Sequence, residues 1–291
     1  MSGGRPGGTM EEYAVIGWPL GHTMSPAVHN ASFAALGLAC RLGAVPLPPD
    51  RFDTFMEALP RAGLRGVAVT IPYKERVLPR CASLDDVAAA VGAANTLLVE
   101  PGGAVRGFNT DGPAATEALR AAGAEVRGAR VLVLGAGGAA RAVCLQLLRE
   151  GAAALAIANR TAARAARLAA DLGRACGVEA EAMPLGGDRL AAAAAAADIV
   201  VNTTAVGMCP RVDETPLPAS AIRRGAVVMD IVYNPVETRL LREARGRGAR
   251  AVPGTEMLIL QAAAQEGIWL GATADLDAMR RALTCALGRS P

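Results

Sequence analysis

Residues 131–143, VLVLGAGGAARAV, decide the fold class of the second half of this chain. A run of apolar residues typical of a buried strand leads into Gly135-x-Gly137-x-x-Ala140, and a helix-forming sequence follows. The first glycine permits a tight turn, the second lets the backbone approach a pyrophosphate, and the third small residue lets helix and strand pack closely. N–H groups at the helix start then face the phosphates. Glycine-rich turns are common in chains rich in Ala and Gly, but the order strand, glycine turn, helix predicts a Rossmann-type dinucleotide-binding domain.

The end of the next strand, ALAIAN, indicates which dinucleotide binds. An NAD site usually ends this strand with Asp or Glu, which accepts a hydrogen bond from the ribose 2′-hydroxyl. Here the sequence offers Asn159, Arg160 and Thr161, with Arg164 one helical turn further on. Two guanidiniums and a hydroxyl would hold a 2′-phosphate, which an acid would repel. The alternative is a solvated helix start with ordinary surface arginines, but basic residues there oppose the helix dipole. We therefore expect NADP as the cofactor.

Strands alternate with helices on both sides of the glycine turn. The apolar strand candidates are EYAVIG, LGAVPL, GVAVTI and ANTLLVE before it, and ALAIAN, a weaker stretch near 178–182, DIVVNTT and AVVMDIVY after it. Helices are predicted at SPAVHNASFAALG, opened by a Ser cap followed by Pro, at 50–62, 83–91, 112–122 and 161–173, and in the alanine tract at 191–197. This alternation predicts parallel sheets and an α/β fold class.

The length of the chain, 291 residues, leaves room for two domains, each with its own core. From Gly254 onward the sequence predicts two helices and no strand, and these could pack back on the first half of the chain. The predicted organisation is a flexible leader at 1–10, a substrate-binding domain at 11–111 and 252–291, and a dinucleotide-binding domain at 112–251.

Composition excludes several classes of partner. The net charge is only +3 and the arginines are scattered, which argues against nucleic acid. No apolar run approaches the length of a membrane span and the N-terminus lacks the apolar core of a signal peptide, so we expect a cytoplasmic protein that does not bind membranes. The cysteines show no CxxC and no metal-ligand spacing, so we expect free thiols in a reducing cytosol and no metal.

The stretch GVAVTIPYKER contains Lys74, the only lysine among 30 basic residues. A strong compositional bias towards arginine has replaced lysine everywhere else, and chance survival at one position is the simplest explanation. The alternative is chemical: arginine keeps its proton at any pH that a protein meets, whereas a lysine ammonium can release its proton and take it back. On this second interpretation position 74 takes part in proton transfer.

Short polar side chains follow the strands of the first half. Thr23, Ser25 and Thr70 are all predicted at strand-to-helix turns, where a parallel sheet presents its ligand site. The two histidines, His22 and His29, are seven residues apart and have no acidic neighbour in the sequence. That spacing makes a poor metal site, so we expect a structural or capping role for each.

Eight motifs, in this order along the chain, resemble those of the shikimate dehydrogenases. They are GWPLGHTMSPAVHN, VTIPYK, GAANTL, GFNTDG, GAGGAARA, NRTAAR, MDIVYNP and GTEMLILQA, and the resemblance spans residues 13 to about 285. It implies two α/β domains, an N-terminal substrate-binding domain and a Rossmann-type domain, separated by a cleft that holds the active site. The implied reaction is NADPH-dependent reduction of 3-dehydroshikimate to shikimate in aromatic amino-acid biosynthesis.

The resemblance also implies roles for individual residues. Lys74 and Asp111 match the catalytic pair, although Asp111 on its own could equally be a helix N-cap. The positions that match substrate contacts are Thr23, Ser25, Thr70, Asn95, Tyr233 and Gln261. The positions that match cofactor contacts are Gly135, Ala136, Gly137, Gly138, Ala139, Asn159, Arg160, Thr161, Arg164, Thr204, Ile231 and Gly254. How proton transfer divides between Lys74 and Asp111 stays open.

Three departures from the family pattern bear on substrate choice. Thr23 stands where the family usually has Ser, Ala68 where it commonly has Asn, and Ala205 where it usually has Ser. Relatives that prefer quinate also vary at the position of Thr23, so an NAD-using quinate/shikimate dehydrogenase and a dehydrogenase for an amino-substituted relative remain alternatives. A third alternative is a paralogue that binds NADP without turnover. The expected partners are small-molecule substrates, and the expected assembly is a monomer or a homodimer.

Overall fold

The structure is a computed structural model that describes residues 10–21 and 23–288. The predicted leader therefore falls, apart from Met10, outside the described residues, as does His22. Two compact units divide the chain: the first comprises residues up to Ala89, Ala93–Thr110 and the residues from Ala262 onward, and the second comprises Ala90–Gly92 and Asp111–Gln261. The second boundary lies ten residues later than the predicted change at 251/252.

Short strands and helices follow one another along most of the described chain. The strands are β1 (Glu11–Gly17), β2 (Cys40–Pro46), β3 (Leu64–Val69), β4 (Ser83–Leu84), β5 (Thr96–Val99), β6 (Val105–Phe108), β7 (Arg130–Leu134), β8 (Ala154–Asn159), β9 (Ala180–Pro184), β10 (Ile199–Asn202), β11 (Val227–Asp230) and β12 (Arg250–Val252). The helices are α1 (Ser25–Ala35), α2 (Phe52–Ala58), α3 (Asp86–Val91), α4 (Asp111–Ala121), α5 (Gly138–Arg149), α6 (Ala162–Cys176), α7 (Gly187–Ala196), α8 (Arg239–Gly246), α9 (Gly254–Leu270) and α10 (Leu276–Gly288).

The sheet of the first unit has the strand order β2-β1-β3-β5-β6-β4. β1 is parallel to β2 and β3, but β5 is antiparallel to both β3 and β6, so the prediction of a wholly parallel sheet was wrong here. The reason is local: a short turn with positive φ at Gly102 and Gly103 joins β5 to β6, and such a turn can connect only antiparallel strands.

Alternating side chains of β1 pack on the two faces of this sheet, as the two-residue period of a strand requires. Ala14 and Ile16 lie in one apolar cluster, which includes Phe52 from α2. Tyr13 and Val15 lie in a second cluster on the other face, together with Phe33, Leu42, Ala68 and Trp269. Helix α1 also packs against α10. Both faces of the sheet are therefore covered.

The first turn of α1 differs from the prediction. The N-cap residue is Met24, without a side-chain capping bond, and Ser25 is already helical, so the predicted Ser cap was wrong. Pro26 lies in the first turn, where its missing N–H leaves no hydrogen bond unmade.

The sheet of the second unit has the order β12-β11-β10-β7-β8-β9, and every pairing in it is parallel. This confirms the doubly wound arrangement expected from the glycine turn. The strand order reverses at β7, because β8 lies on one side of it and β10 on the other. Ligands of such sheets bind outside the carboxyl ends of the strands at this switch point.

The sequence prediction missed two elements of the second unit, α8 and β12. β12 has only three residues and lies at the edge of the sheet, where little apolar sequence is needed. Its neighbour α8 is rich in arginine and contributes the buried residues Leu240, Leu241 and Ala244 to the core. Short elements with few apolar residues give no clear periodic signal.

Candidate functional site

The turns that follow β1 and β3 carry the predicted polar residues of the first unit. The main chains of these turns are joined, since Trp18 N–H donates to Ile71 O at 2.9 Å and Thr70 N–H donates to Ile16 O at 2.9 Å. Gly17 makes this approach possible, because a Cβ at that position would lie 2.4 Å from Thr70 Cγ2. Thr70 is thus held at the carboxyl edge of the sheet.

Thr23 and Ser25 lie beside each other at the start of α1. Thr23 Oγ1 is 3.4 Å from both the Oγ and the N of Ser25. Both side chains are partly buried. The structure therefore brings together two hydroxyls that the sequence assigned to substrate binding.

Lys74 lies in the turn after β3, and buried neighbours hold its main chain. Tyr73 is fully buried, stacks on Phe52 with ring centroids 4.7 Å apart, and donates its hydroxyl hydrogen to Leu47 O. The carbonyl oxygen of Lys74 accepts from Ala94 N–H at 2.8 Å. The side chain of Lys74 is partly buried. Because the main chain of Lys74 is fixed, the position from which its side chain extends is fixed as well.

Asn95 precedes β5 and is 1% exposed. Its Oδ1 accepts from Thr110 N–H at 2.9 Å and from Thr96 Oγ1–H at 2.8 Å, and its Nδ2 donates to Thr110 Oγ1 at 2.9 Å. Asp111 follows as the first residue of α4 and is 4% exposed. The residue just before Asp111 is thus tied to β5 by hydrogen bonds of the Asn95 side chain.

The glycine turn between β7 and α5 has the predicted geometry. Gly135 has a φ of +117°, and a Cβ there would lie 2.3 Å from Thr203 Oγ1, so only glycine fits. Gly137 is the N-cap of α5, without a side-chain cap. Ala140 is buried, as expected for the third small position of the motif. The N-terminal N–H groups of α5 can therefore serve an anion.

The arginines expected to bind a 2′-phosphate follow β8, the neighbour of β7: Arg160 comes directly after the strand and Arg164 lies in the first turn of α6. Asn159 ends β8 and donates from Nδ2 to Thr161 O at 3.0 Å, and Thr161 is the N-cap of α6. Arg160 and Arg164 are exposed, and within the described part of the chain neither forms an ion pair. The first turn of α6 contains no acidic residue. Positive charge at this helix start is therefore uncompensated by the chain's own described carboxylates.

Asn202 and Asp230 link the loops after β10 and β11, and the sequence analysis missed both. Asn202 Oδ1 accepts from the N–H and the Oγ1–H of Thr204, at 3.0 and 2.7 Å. Its Nδ2 donates to Asp230 Oδ1 at 2.9 Å. Asp230 also accepts from Val232 N–H and Thr238 Oγ1–H, and burial raises the pKa of this carboxyl to about 6. A polar residue at the end of an apolar strand, as in DIVVN and AVVMD, was the available signal.

Ile231 and Gly254 meet in the second unit. Ile231 N–H donates to Asn202 O at 3.0 Å, and a Cβ on Gly254 would lie 2.6 Å from the carbonyl of Ile231. Tyr233 is partly buried, and desolvation raises the pKa of its hydroxyl. Gln261, in α9, donates to Leu258 O at 3.0 Å and is the last residue of the second unit.

His29 has the expected structural environment, but its acidic partner was not foreseen. The ring is fully buried, with Nδ1 2.9 Å from Glu266 Oε1 and Nε2 3.2 Å from Gln265 Oε1. The sequence around His29 offers no acidic residue, and the fold supplies one. Glu266 is 237 residues away along the chain, so sequence proximity could not reveal it.

Three family models match most of the chain. The family model "Shikimate dehydrogenase substrate binding domain" matches residues 15–97, "Shikimate / quinate 5-dehydrogenase" matches 116–235, and "Shikimate 5'-dehydrogenase C-terminal domain" matches 254–284. The chain belongs to the shikimate dehydrogenase family. The shikimate dehydrogenase (NADP(+)) of Rubrobacter xylanophilus is 45% identical over 285 residues, which is 98% of this chain and 99% of the relative. That of Moorella thermoacetica is 43% identical over 95% of this chain and 94% of its own.

Solved structures of shikimate dehydrogenase family members share the fold. Shikimate 5-dehydrogenase from Thermus thermophilus, in complex with NADP(H) and shikimate, superposes with a TM-score of 0.85 at 36% identity and covers 96% of this chain and 100% of its own. Quinate dehydrogenase from Corynebacterium glutamicum, in complex with NAD, gives a TM-score of 0.87 at 30% identity, with coverage of 96% and 100%. The fold is therefore shared by enzymes of different substrate and cofactor.

Two properties of the described residues bear on other classes of site. None of their helices is both long enough and apolar enough to span a membrane. Among the described residues, no group of three or more His, Cys, Asp or Glu side chains is arranged so that it could hold a metal ion.

Proposed function

We propose that the protein catalyses the reversible NADPH-dependent reduction of 3-dehydroshikimate to shikimate. The observation that carries the proposal is the lysine turn after β3. This turn binds the turn after β1 through the main chain of Thr70, and it carries Lys74, whose carbonyl oxygen accepts from Ala94 N–H, in a chain of the shikimate dehydrogenase family. Hydroxyl groups and one ammonium group can bind a substrate that carries several hydroxyls, a carboxylate and a ketone, and the ketone is the group that is reduced.

Lys74 is the proposed acid in reduction and the proposed base in oxidation. Bound NADPH supplies the hydride, and negative charge develops on the carbonyl oxygen as carbon is reduced. The Lys74 ammonium stabilises that charge and delivers a proton to the oxygen, which becomes the hydroxyl. Asp111 accepts from a substrate hydroxyl and orients the donor. Reversal in the oxidation direction needs an amine that takes the proton back, which arginine does not do at neutral pH.

The remaining substrate contacts are proposed from short polar side chains. Each offers a donor or an acceptor that a triol carboxylate can use. They are Thr23, Ser25, Thr70, Asn95, Tyr233 and Gln261.

The proposed cofactor site rests on the glycine turn and on the start of α6. The exposed guanidiniums of Arg160 and Arg164 and the hydroxyl of Thr161 would bind the 2′-phosphate in charge-assisted hydrogen bonds. The pyrophosphate would lie against the N-terminus of α5. The full proposed set is Gly135, Ala136, Gly137, Gly138, Ala139, Asn159, Arg160, Thr161, Arg164, Thr204, Ile231 and Gly254.

Domain roles, assembly and location are proposed with the activity. We assign substrate binding to residues 11–111 and 252–291, and NADP binding to residues 112–251. The six cysteines are free thiols, which suits a protein of the reducing cytoplasm. We propose a monomer or a homodimer.

A second candidate is quinate oxidation, favoured by one feature of the site. Thr23 adds a methyl group beside Ser25, where the family usually has Ser, and the fold is shared with a quinate dehydrogenase. That neighbour was solved with NAD, whereas Arg160 and Arg164 here suit NADP. We therefore favour shikimate with NADP.

Steady-state kinetics of the purified protein test both candidates. Shikimate and quinate are each assayed with NADP and with NAD. We expect the highest kcat/KM for shikimate with NADP. A higher kcat/KM for quinate would support the second candidate, and no turnover in any combination would refute a dehydrogenase function.

A further inference from the structure

A chain of buried polar side chains runs through the first unit to Asn95. Each member is at most 2% exposed, and its atoms are hydrogen-bonded, because the single unsatisfied buried side-chain atom found in the described residues belongs to Glu243. The members are Ser32, Glu266, His29, Gln265, Thr96 and Asn95. Polar networks of this size cost desolvation energy, so complete satisfaction matters.

At one end of this network of polar side chains, the main chain determines which atoms carry the hydrogens. The N–H of Asp275 can only donate, and it donates to Ser32 Oγ at 3.0 Å. The hydroxyl hydrogen of Ser32 is then available to Glu266 Oε2, at 2.6 Å. Glu266 Oε1 lies 2.9 Å from His29 Nδ1. At this distance the two atoms are joined by a hydrogen bond.

The other end fixes the orientation of Gln265. The carbonyl oxygen of Asn95 can only accept, so the Nε2 of Gln265, at 3.1 Å, must face it. The same Nε2 donates to Thr96 Oγ1 at 3.1 Å. Gln265 Oε1 therefore faces His29 Nε2, at 3.2 Å, and that ring nitrogen carries a hydrogen. The histidine holds the amide of Gln265 in the one orientation that satisfies every partner.

This orientation passes to the side chain of Asn95. Thr96 Oγ1 accepts from Gln265, so its own hydrogen is directed to Asn95 Oδ1, at 2.8 Å. Thr110 N–H donates to the same oxygen at 2.9 Å. Two donors therefore saturate Oδ1, and they fix the orientation of the amide, in which Nδ2 faces Thr110 Oγ1 at 2.9 Å.

We propose that Gln265, oriented by the buried His29–Glu266 pair, is a positioning residue for substrate binding by Asn95. The inference rests on the proposed function, since Asn95 is the proposed contact to a shikimate oxygen. Gln265 acts on both parts of Asn95: its carbonyl directly, and its side-chain amide through Thr96. Loss of Gln265 lets the amide of Asn95 rotate, which weakens substrate binding more than it slows the chemical step.

The test compares Gln265→Met with two matched variants in the full-length protein. Methionine keeps the length of glutamine but makes none of its hydrogen bonds. We expect the KM for shikimate to rise about tenfold, the factor that corresponds to about one buried hydrogen bond, with the KM for NADP and kcat changed less than about twofold. Glu266→Gln should raise the KM for shikimate less than Gln265→Met does, because its amide can still donate to His29 Nδ1 and accept from Ser32, and Gln265 keeps its own partners.

Trp269→Phe is the control for a loosened helix. Trp269 also lies in α9 and also donates to β5, from Nε1 to Leu97 O at 3.0 Å, and this hydrogen bond does not involve Asn95. An equal rise in the KM for shikimate in Trp269→Phe would overturn the inference, since the effect would then be general packing of α9 on β5. If the wild type turns over shikimate and Gln265→Met has the same KM for shikimate as the wild type, this inference is refuted and the proposed function is not. A wild type without shikimate turnover would refute the proposed function as well.

Discussion

Asp230 offers a stability test whose sign and size follow from its surroundings. The carboxyl group is fully buried at the end of β11 and accepts hydrogen bonds from Asn202, Val232 and Thr238. Desolvation is the largest influence on it and raises its pKa from the usual 3.8 to about 6, although those hydrogen bonds act in the opposite direction. The folded protein therefore binds a proton here more tightly than the unfolded chain does.

A raised folded-state pKa adds stability that is fully present below the unfolded pKa of 3.8 and lost as the pH rises through about 6. Each unit of pKa difference is worth about 1.4 kcal/mol, so the change from 3.8 to about 6 corresponds to about 3 kcal/mol of unfolding free energy. Asp230→Asn has nearly the same shape and does not titrate. Its Oδ1 can accept from Asn202 and Val232, and its Nδ2 can donate to Thr238, so the folded site is preserved.

The assay is urea unfolding followed by far-UV circular dichroism, between about pH 4 and pH 7. The wild type should lose about 2.5 kcal/mol relative to Asp230→Asn across this range, which begins just above the unfolded pKa, with most of the loss below about pH 6. Asp188→Asn, which removes an exposed carboxylate from the same unit, controls for the change in net charge. Unfolding free energies of wild type and Asp230→Asn that differ by a constant amount at every pH would refute the reasoning.

Further predictions concern the proposed cofactor and substrate contacts. Arg160→Ala should raise the KM for NADP about tenfold or more and leave the KM for NAD nearly unchanged, because a charge-assisted hydrogen bond to the 2′-phosphate is lost; equal losses would contradict this role. Lys74→Arg keeps the charge but should lower kcat by at least about 10²-fold with cofactor affinity intact, as pre-steady-state binding would show; an active variant would leave Lys74 as a simple anchor. Gly135→Ala places a Cβ 2.3 Å from Thr203 Oγ1 and should weaken both dinucleotides, measured by fluorescence titration. Ser25→Ala should raise the KM for shikimate and not that for NADP; a parallel rise in both would contradict a substrate contact.

The nucleotide-binding half was predictable because its signals are local. The geometry of the turn itself requires a small residue at Gly135, Gly137 and Ala140. The apolar strand before them, β7, is buried on both faces. The antiparallel β5–β6 pair was missed even though Gly102 and Gly103 marked its turn, since the alternation of strands and helices was given more weight.

The site was predictable at single positions and much less so in its supporting contacts. Thr23, Ser25 and Thr70 follow from their positions after strands, but the contact of His29 with Glu266 joins residues 237 apart. No periodicity in one sequence encodes such a pairing. The prediction of the N-cap of α1 was wrong for a related reason. Ser25 fits the local preference for a capping residue, but the helix begins one residue earlier than expected, with Met24 as the N-cap.

Lys74 is the only lysine of the chain, and the buried Tyr73 precedes it. A reagent that modifies lysine amines can therefore react with only one side chain. Reductive methylation with isotope-enriched formaldehyde would label one side chain and the terminal amine, and the two signals separate because α-amines are weaker bases than lysine side chains. The resulting resonance would report the protonation of one chosen nitrogen, the methylated amine of Lys74, without any substitution.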